Sequence, residues 1–358
     1  HTVNGGRAMC IVIENDGLFT PAPGIGIERD DTSMTGPQIL DAIKKAGIVG
    51  LGGAGFPTHV KLAPRNPEQI DFVIANGSEC EPYITCDDQL MRTQSSGIVE
   101  GMRLVLRLFP NARGVIAIED NKPEAIAAMT SACASDSNIS VLEVKAKYPE
   151  GGERNLIGVV TGRQLRFGQL PADLGCVVCN VSSLNAIYRA VCKSEPLMSR
   201  LFTVSGDAVA HPHTMEVRIG TSCRELLEAA GGIKPDCTAK KILCGGPMMG
   251  IAMSTLDVPI AKNNNALTVL AEDEVELAEE QMTACLRCGR CGHVCPIGLV
   301  PQMMAEAAER KDYERYEKKL YGLDCIACGS CTYICPAKRP LMQLFKQTKA
   351  VIMAAKRK

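Results

Sequence analysis

The sequence has no excess of charge of either sign and no long apolar run. Its 39 Lys and Arg residues nearly balance its 40 Asp and Glu residues, which gives a formal net charge of −1. A chain with this balance has no global field to draw it onto nucleic acid or acidic lipid. It contains no stretch of about 18 consecutive apolar residues, which excludes a membrane-spanning helix. Its first residues also lack the charged-then-apolar pattern of a secretory signal peptide.

The cysteines lack the pattern of a disulfide scaffold. Secreted scaffolds are short and use evenly distributed, loop-closing cysteines, whereas eight of the 18 cysteines here lie in two tight runs. The other ten are scattered, mostly among apolar residues, and we expect most of them to be small buried core residues. This usage fits a reducing cytoplasm. Nor does the sequence offer a catalytic triad or paired carboxylates.

The pattern of elements predicts a doubly wound α/β domain. From about residue 35, helical and strand patterns alternate, which favours a parallel sheet with helices on both faces. Helices are predicted at residues 35–46, 98–109 and 123–133, and strands at 70–75, 114–119, 139–144 and 176–181. Sheets of this type bind ligands at the carboxyl ends of their strands.

A chain of 358 residues is long enough for two or three domains. We predict three domains, preceded by the remnant of a truncated N-terminal β-unit. Residues 1–30 begin like the closing strand of a small β-unit whose earlier strands are missing, so we expect an N-terminal truncation. Residues 31–200 form the α/β domain, 201–268 a small α+β module, and 269–358 the cysteine-rich domain. The acidic segment 272–280 is interpreted as a solvated linker or helix start.

The clearest chemistry lies in two cysteine runs near the C-terminus. Each has the spacing Cys-x2-Cys-x2-Cys-x3-Cys-Pro, and the second follows the first by forty residues. In bacterial ferredoxins with this spacing, three cysteines of a run bind one [4Fe–4S] cluster and the fourth binds the other. The predicted ligands are Cys285, Cys288, Cys291 and Cys335 for cluster site 1, and Cys325, Cys328, Cys331 and Cys295 for cluster site 2.

Zinc is the competing interpretation, because paired Cys-x2-Cys sequences also occur in zinc ribbons. Zinc takes four ligands per site and does not explain a third cysteine at the same interval, so iron–sulfur clusters are favoured. Gly289, Gly292 and Gly329 are expected to let backbone N–H groups approach the cluster sulfurs. His293 lies inside the first run, and we expect it to face solvent or to lie outside the ligand set.

A glycine-rich segment, residues 47–58, precedes the first predicted strand. It contains a formal G-x-G-x-x-G at Gly50, Gly52 and Gly55, but it follows a predicted helix, so the context of an ordinary dinucleotide fingerprint is absent. Small residues still let main-chain N–H groups and a short helix near residues 58–62 approach a phosphate or a flat ring. Lys61, one turn into that helix, is placed to pair with the phosphate.

Polar residues follow the first predicted strand. The sequence NGSECEP, residues 76–82, lies where an open α/β sheet places its ligand site. Asn76 and Glu79 can bond the polar edge of a flavin or a ribose. A capped turn explains the same residues equally well, so these residues alone leave both interpretations open.

With these motifs in order, the chain resembles the C-subunit family of Rnf complexes, which are membrane-bound ferredoxin:NAD oxidoreductases. The resemblance covers essentially the whole chain and rests on GLGGAGFPTHVK, NGSECEP, YPEGGERNL and CNVSSLNAI, followed by the paired cysteine runs. The α/β region is also similar to the flavin- and NADH-binding subunit of respiratory complex I. The resemblance thus implies a Rossmann-like parallel-sheet domain, a β-grasp module of the SLBB type, and a helical ferredoxin-like domain with two [4Fe–4S] clusters.

The resemblance also implies a noncovalent FMN with NAD(H) as its redox substrate. Lys61 would contact the FMN phosphate, and Asn76 and Glu79 would lie near the isoalloxazine and ribityl groups. Leu51 and Arg154 stand where the complex I pattern has Arg and Glu. The loop residues implied are Gly50, Gly52, Gly53, Ala54, Gly55 and Phe56, and the residues that complete the pocket are Gly152, Glu153 and Asn180.

These implications predict an electron-transfer enzyme subunit. A nicotinamide gives up two electrons as a hydride, whereas an iron–sulfur cluster accepts one, and a flavin bridges the two. The resemblance implies coupling to Na+ or H+ translocation in a complex whose other subunits include an integral membrane subunit and a ferredoxin-like iron–sulfur subunit. It also implies a peripheral position on the cytoplasmic face of the membrane. The basic C-terminal segment, residues 337–358, fits a helix on acidic lipid or on an integral partner, or equally a solvated helix end.

Three alternatives stay open at this point. A flavoprotein reductase of cobalamin shares the glycine loop and both cysteine runs, and an electron donor of proline reductase has a similar build. A noncatalytic relay, in which only the clusters work and the α/β domain is a scaffold, belongs to a different class. Flavin content and cluster reduction by NADH distinguish the relay from the enzymes.

Overall fold

A computed structural model describes residues 2–3, 6 and 8–357. The chain forms two compact units. The first comprises the described residues up to Gln164 together with Leu170–Ala271, and the second comprises Leu165–Gln169 and the described residues from Glu272 onward. The domain boundaries drawn from the sequence remain predictions.

The first unit contains a parallel sheet. Its strands are β1 (Phe72–Gly77), β2 (Arg113–Glu119), β3 (Ile139–Val144) and β4 (Cys176–Asn180). Their order is β3-β2-β1-β4, and every pairing is parallel. β1, β2 and β4 are nearly continuous apolar runs because helices cover both faces of such a sheet. All four predicted strands are confirmed, with β1 beginning two residues later because a 3-10 turn, Pro67–Gln69, precedes it.

Helices surround this sheet. They are α1 (Gly36–Lys45), α2 (Thr58–Lys61), α3 (Cys86–Thr93), α4 (Ser95–Leu106), α5 (Pro123–Ala132), α6 (Glu153–Thr161) and α7 (Val181–Cys192). α1 starts where Gln38 Oε1 accepts from the Thr35 N–H at 2.8 Å. Gly101 of α4 lies directly on α7, because a Cβ there would be 2.0 Å from the Leu184 carbonyl oxygen. The alternation of strands and helices confirms the predicted α/β fold.

A second, mixed sheet lies in the same unit. Its strands are β5 (Ser199–Ser205), β6 (His213–Arg218), β7 (Lys241–Cys244), β8 (Ile251–Ala252) and β9 (Ala266–Leu270), and its helix is α8 (Cys223–Ala229). The order is β6-β5-β9-β7-β8, with only the β5–β9 pairing parallel. Leu226 and Leu227 of α8 pack into a core with Phe202 and Val269. This is the small α+β module that the sequence predicted.

The second unit is helical. It contains α9 (Glu274–Glu280), α10 (Arg290–His293), α11 (Pro301–Glu309), α12 (Ser330–Tyr333) and α13 (Leu341–Lys356), with a π-helical turn at Arg315–Lys319 and a 3-10 turn at Gly322–Asp324. The Asp273 side chain caps α9 by accepting from the Val275 N–H at 3.0 Å. α9 buries no residue, which confirms the acidic segment as a solvated helix start.

The C-terminal helix α13 uses its apolar side within its own unit. Leu341, Phe345 and Ile352 are buried in the core of the second unit, and Lys349 Nζ donates to the Leu323 carbonyl oxygen at 2.9 Å. These contacts cover part of the apolar side of α13, whereas Val351 is 47% exposed. The helix on lipid or on an integral partner and the solvated helix end both remain predictions. Across the described residues, no helix combines the length and the apolar character needed to span a bilayer.

The strand predicted at the start of the chain does not form in the residues that the structure describes. Residues 8–31 contain no strand, and the apolar side chains of Met9, Ile11, Val12 and Ile13 are almost fully exposed. A strand needs a neighbour to pair its N–H and C=O groups, and none of the described strands pairs with this segment. Residues 1, 4, 5 and 7 of the predicted strand lie outside the described residues.

Candidate cofactor sites

Two asparagines mark the carboxyl edge of the parallel sheet. Asn76 and Asn180 are directly paired in the β1–β4 register, so both side chains lie on the same face of the sheet. Asn76 Nδ2 donates to the Gly151 carbonyl oxygen at 2.8 Å, and Asn180 Oδ1 caps α7 by accepting from the Ser182 N–H at 2.9 Å. The predicted ligand edge thus joins two strand ends, the loop before α6 and the start of α7.

The glycine loop is closed at its base. The Gly50 N–H donates to the Phe56 carbonyl oxygen at 2.8 Å. Leu51 is buried, its N–H donates to Ser183 Oγ at 2.9 Å, and its carbonyl oxygen accepts from Arg200 at 3.2 Å. Leu51 therefore anchors the loop in a position where the complex I pattern has an arginine.

The tip of this loop is exposed and has free donors. Gly53 has a φ of +109° with open space around it, and Gly55 completes the turn with a φ of +65°. Gly52 lies against Asn180, since a Cβ there would be 3.3 Å from the Asn180 Cβ. Within the described chain, no hydrogen bond engages the N–H groups of Gly52, Gly53 and Ala54. Such a cradle of small residues and free N–H groups fits a flavin ring edge or a phosphate.

Lys61 and Glu153, predicted from separate motifs, meet in the structure. Lys61 Nζ lies 3.5 Å from Glu153 Oε2 and donates to the Val178 carbonyl oxygen at 2.9 Å. Glu153 is the first residue of α6, with Gly152 as its N-cap. The pair is partly exposed, so its attraction is weak. A phosphate at Lys61 would therefore compete with a carboxylate for the same ammonium group.

The half-buried carboxylate of Glu79 lies beside the buried Asp87. Its two carboxylate oxygens accept from the N–H groups of Asp87 and Asp88 at 2.7 and 2.9 Å, which caps α3. Asp87 in turn accepts from Ser182 Oγ at 2.7 Å and from Asn180 Nδ2 at 2.6 Å. Burial, and next the neighbouring Asp87 carboxylate, raise the pKa of Glu79 to about 8. Burial also raises the pKa of Asp87, so at neutral pH the pair holds a proton. Contact of Glu79 with a flavin remains a prediction.

Asp87 and an ion pair at the end of β2 also lie at this edge and were not predicted from the sequence. Lys122 Nζ donates to Glu119 Oε2 at 2.7 Å and to the Ser78 carbonyl oxygen at 2.9 Å. Glu119 is buried. The Lys122–Glu119 pair, at the end of β2, therefore holds the segment after β1 in place through the bond to the Ser78 carbonyl oxygen. The rule used for β1, that polar residues at a carboxyl strand end line the ligand edge, predicts Lys122 when it is applied to β2. No pattern in the sequence indicates Asp87 in this way, because Asp87 comes to lie beside Glu79 only when the chain folds.

The two cysteine runs fold as a structural repeat. α10 and α12 start forty residues apart, as do α11 and α13. In each run, the N–H two residues after the first cysteine donates to that cysteine's Sγ at 3.4 Å. The residues with left-handed φ repeat at the same interval, namely Arg287 with Ala327, Gly289 with Gly329, and Gly298 with Lys338. The same loop is therefore built twice, with backbone N–H groups directed at sulfur.

Each predicted ligand set surrounds a cavity. One cavity is lined by Cys285, Cys288, Cys291 and Cys335, and another by Cys295, Cys325, Cys328 and Cys331. In both, the fourth cysteine comes from the other run. The structure thus brings together the crossed sets that the spacing predicted, and cluster binding by them remains a prediction.

The spacing of the sulfurs disfavours zinc. A tetrahedral zinc ion with Zn–S bonds of about 2.3 Å holds its sulfurs roughly 3.8 Å apart. In the part of the chain that the structure describes, the only trio of metal-ligand atoms within 4.8 Å of one another is that of Glu79, Cys86 and Asp87. Neither cysteine set is therefore contracted around one ion.

The two cluster sites differ in exposure. Cys285 and Cys288 of site 1 are exposed, whereas all four cysteines of site 2 are half-buried. His293 is exposed, as expected for a residue facing solvent. Gly289 and Gly329 have the left-handed φ that glycine tolerates, whereas Gly292 lies within α10.

The ten scattered cysteines are free thiols. Their exposure confirms the core prediction for half of them, while Cys10 is exposed. The buried members are Cys86, Cys133, Cys176, Cys179 and Cys223.

Three protein-family models match the chain in succession. Residues 43–189 match the Nuo51 FMN-binding domain, residues 201–252 the SLBB domain, and residues 284–341 the 4Fe-4S dicluster domain. The first match includes the glycine loop, and the third includes both cysteine runs. The predicted order of fold types is confirmed.

Solved structures with a similar fold include two of NAD+-reducing [NiFe]-hydrogenase. The H2-reduced form gives a TM-score of 0.60 at 24% identity and covers 88% of this chain and 62% of its own. The air-oxidised form gives 0.63 at 22% identity, with 93% and 65% covered. This chain spans less than two thirds of those chains, and at such identity the likeness shows the fold alone.

Curated relatives match over nearly the full length. The chain is 41% identical over 355 residues to the C-subunit of the Na+-translocating ferredoxin:NAD+ oxidoreductase complex of Acetobacterium woodii, which covers 99% of this chain and 79% of the relative. It is 42% identical over 350 residues to the C-subunit of the proton-translocating complex of Clostridium ljungdahlii, covering 98% and 76%. The C-subunit of the ion-translocating oxidoreductase complex of Pseudomonas aeruginosa is 40% identical over 87% of this chain and 40% of the relative. Because these relatives are about 40% identical and the alignments with the first two cover nearly the whole chain, the chain belongs to the C-subunit family of ion-translocating ferredoxin:NAD+ oxidoreductase complexes.

Proposed function

We propose that this chain is the subunit of a ferredoxin:NAD+ oxidoreductase that reacts with NAD(H), with FMN at the edge of the parallel sheet and two [4Fe–4S] clusters in the second unit. The observation that carries the proposal is the pair of cavities, each lined by a crossed set of four cysteines. The free N–H groups of the glycine tip support the flavin part. A flavin, when bound, supplies the exchange between two-electron nicotinamide and one-electron cluster chemistry.

At the sheet edge, the residues of the chain bind and orient. The tip N–H groups of Gly52, Gly53 and Ala54 make no hydrogen bond within the described chain and are free to donate, and the buried anchor at Leu51 fixes the base of the loop. Lys61 supplies a positive charge for a phosphate. Asn76 and Asn180 hold the strand ends and the neighbouring loops in register. The remaining pocket residues of the proposal are Gly50, Gly55, Phe56, Glu79, Gly152 and Glu153.

In the second unit, the residues of the chain hold clusters and control solvent. Backbone N–H groups of Arg287, Ala327 and Leu299 each lie 3.4 Å from a cysteine sulfur, and such donors set cluster potential. The site 2 cavity is lined largely by apolar side chains such as Leu299, Met304 and Phe345, which limits water access.

The proposal includes assembly with other subunits. Relatives of this chain are named as subunits of ion-translocating complexes, which supports docking of this chain on an integral membrane subunit at the cytoplasmic face. A ferredoxin-like iron–sulfur subunit would exchange electrons with its clusters. Translocation of Na+ or H+ would then belong to the assembled complex.

An anaerobic spectrum of the purified chain tests the proposal. Iron, sulfide and flavin are assayed, and visible and EPR spectra are recorded before and after addition of NADH. We expect about eight irons per chain, one FMN, and bleaching by NADH. About eight irons without flavin and without a response to NADH would instead support the noncatalytic relay. A chain without iron would contradict the proposal altogether.

A further inference from the structure

A buried tyrosine beside cluster site 2 has an unpartnered hydroxyl. Tyr316 is 0% exposed, and its hydroxyl oxygen has no hydrogen-bond partner among the described residues. Tyrosine hydroxyls that are buried in native proteins normally find a partner, because they lose water when they are buried. We therefore expect the Tyr316 hydroxyl to donate to an acceptor that is absent among the described protein groups.

The ring of Tyr316 is held in place from two sides. A Cβ on Gly322 would lie 2.2 to 2.5 Å from three ring carbons, so only glycine allows this contact. The ring of Phe345 lies on another side, with its centroid 6.3 Å away and its plane tilted by 50°. The hydroxyl direction is thus determined by packing and not by a flexible side chain.

The backbone at Tyr316 is also unusual. Residues Arg315–Lys319 form a π-helical turn, in which the Leu320 N–H donates to the Arg315 carbonyl oxygen at 3.0 Å. Short π-helical segments occur frequently at functional sites. Here the segment carries a tyrosine that is buried in the core of the second unit.

Predicted cluster ligands border that core. Cys325 and Cys331 of site 2 pack against the cluster of buried side chains that contains Tyr316, as does Cys291 of site 1. The ring contact at Gly322 places Tyr316 next to Cys325, because the Cys325 N–H donates to the Gly322 carbonyl oxygen at 3.2 Å. The phenol keeps its proton and is available as a donor.

We propose that the Tyr316 hydroxyl donates a hydrogen bond to a sulfur of the cluster at site 2 and thereby raises the reduction potential of that cluster. The inference rests on the proposed cluster binding. Reduction of a cluster adds one electron and one negative charge, and no proton leaves Tyr316. A donor to sulfur stabilises the more negative state, so it favours the reduced cluster.

Among the described residues, the repeat gives site 1 no counterpart of Tyr316. The residue forty positions before Tyr316 is Glu276, which is exposed on α9. The repeat therefore supplies both sites with backbone donors but only site 2 with a buried phenol. Tyr316 is accordingly a tuning residue that acts on one cluster of the two.

The test is an EPR-monitored redox titration of the full-length protein with its clusters bound. Tyr316→Phe keeps the ring and removes the donor. We expect the reduced-to-oxidised ratio of one cluster to fall about tenfold at a fixed potential, which corresponds to a shift of roughly 59 mV for a one-electron couple. The other cluster and the iron content stay unchanged. The control is Tyr321→Phe, since Tyr321 is 60% exposed, and it should shift neither cluster.

The affected signal is assigned by its absence in a Cys325→Ser protein. Unchanged potentials for both clusters in Tyr316→Phe at full iron content would overturn the inference and leave the proposed function intact. If the variant loses iron, replacement of tyrosine by 3-fluorotyrosine decides, because a more acidic phenol is a stronger donor. The potential of the site 2 cluster should then rise, and an unchanged potential would equally overturn the inference. A wild-type protein without iron would overturn the proposed function itself.

Discussion

At the sheet edge of the first unit, the side chains of Asn76, Glu79 and Asn180 are bonded to other protein groups. In the second unit, the cysteine sulfurs of both sites line cavities, and N–H groups of their own loops lie 3.4 Å from Cys285 and Cys325. In the first region, the polar side chains are hydrogen-bonded to the protein itself and stabilise the fold. The second presents its ligand atoms directly.

This difference shows what a bound group can use in each region. A flavin that takes a bond from Asn76 or Glu79 must displace a protein partner, so the free N–H groups of the glycine tip and the charge of Lys61 are the available contacts. A cluster at either cysteine site displaces no internal partner of comparable strength. Cluster binding should therefore depend on single ligands, and flavin binding on the loop backbone.

The largest effect is expected when a sulfur is removed. Cys325→Ser and Cys285→Ser should each lose about half of the iron, because the thiolate is the ligand and a hydroxyl is a poor substitute. The exposed Cys10→Ser serves as the control and should keep all of it. Iron and sulfide assays after anaerobic purification measure the change. Full iron content in either variant would remove the contrast between the two regions.

The carboxylate pair of Glu79 and Asp87 gives the next largest effect. The folded pKa of Glu79, about 8, lies above the unfolded value near 4.3. The folded state therefore holds a proton that the unfolded state releases, so stability falls as pH rises from about 4.5 to 8, by at most ~1.4 kcal/mol per pH unit. Glu79→Gln should flatten this slope.

Urea unfolding of the protein at pH 5.5, 6.5 and 7.5 measures the slope. Glu68→Gln, at an exposed position, controls for the loss of a carboxylate elsewhere. If Glu79→Gln and the wild type lose stability in parallel, the pair does not hold the proton, and the sheet edge is less constrained than its hydrogen bonds indicate.

A smaller effect is expected at the glycine tip. Gly53→Ala forces an L-residue to a φ of +109°, which costs about 1–2 kcal/mol and should weaken FMN binding roughly tenfold, since 1.4 kcal/mol is a factor of ten. Gly220→Ala is the matched control, because Gly220 also has a positive φ, +103°, with open space around it, and lies outside the glycine loop. Fluorescence titration with FMN measures both. Equal losses in the two variants would contradict a role for the tip conformation.

The smallest effects are expected at the partly exposed Lys61–Glu153 pair. Lys61→Met should weaken FMN binding a few-fold, because such a charge contributes up to about 1 kcal/mol. Glu153→Gln should slow NADH oxidation while iron content stays unchanged. Steady-state kinetics with an artificial acceptor, alongside iron assays, check this pair. Unchanged NADH kinetics in Glu153→Gln would remove Glu153 from the site.

Much of the fold followed from local patterns. The four strands of the parallel sheet and the predicted helices α1, α4 and α5 lie within a few residues of their predicted positions, because apolar runs and turn residues act locally. The helices α3 and α6 were not predicted. The strand predicted near residue 10 failed for a nonlocal reason. Its sequence favours an extended chain, but a strand exists only with a neighbour to pair with.

The sequence by itself determined the crossed cysteine sets, since the interval of forty residues and the x2 spacing leave the backbone little choice about which sulfurs converge. Only the tertiary structure decided that Glu79 lies beside Asp87, that Lys61 meets Glu153, that α13 buries Leu341, Phe345 and Ile352, and that Tyr316 has an unpartnered hydroxyl. These contacts join residues from separate elements. Their existence depends on how helices and strands pack, which no local spacing encodes.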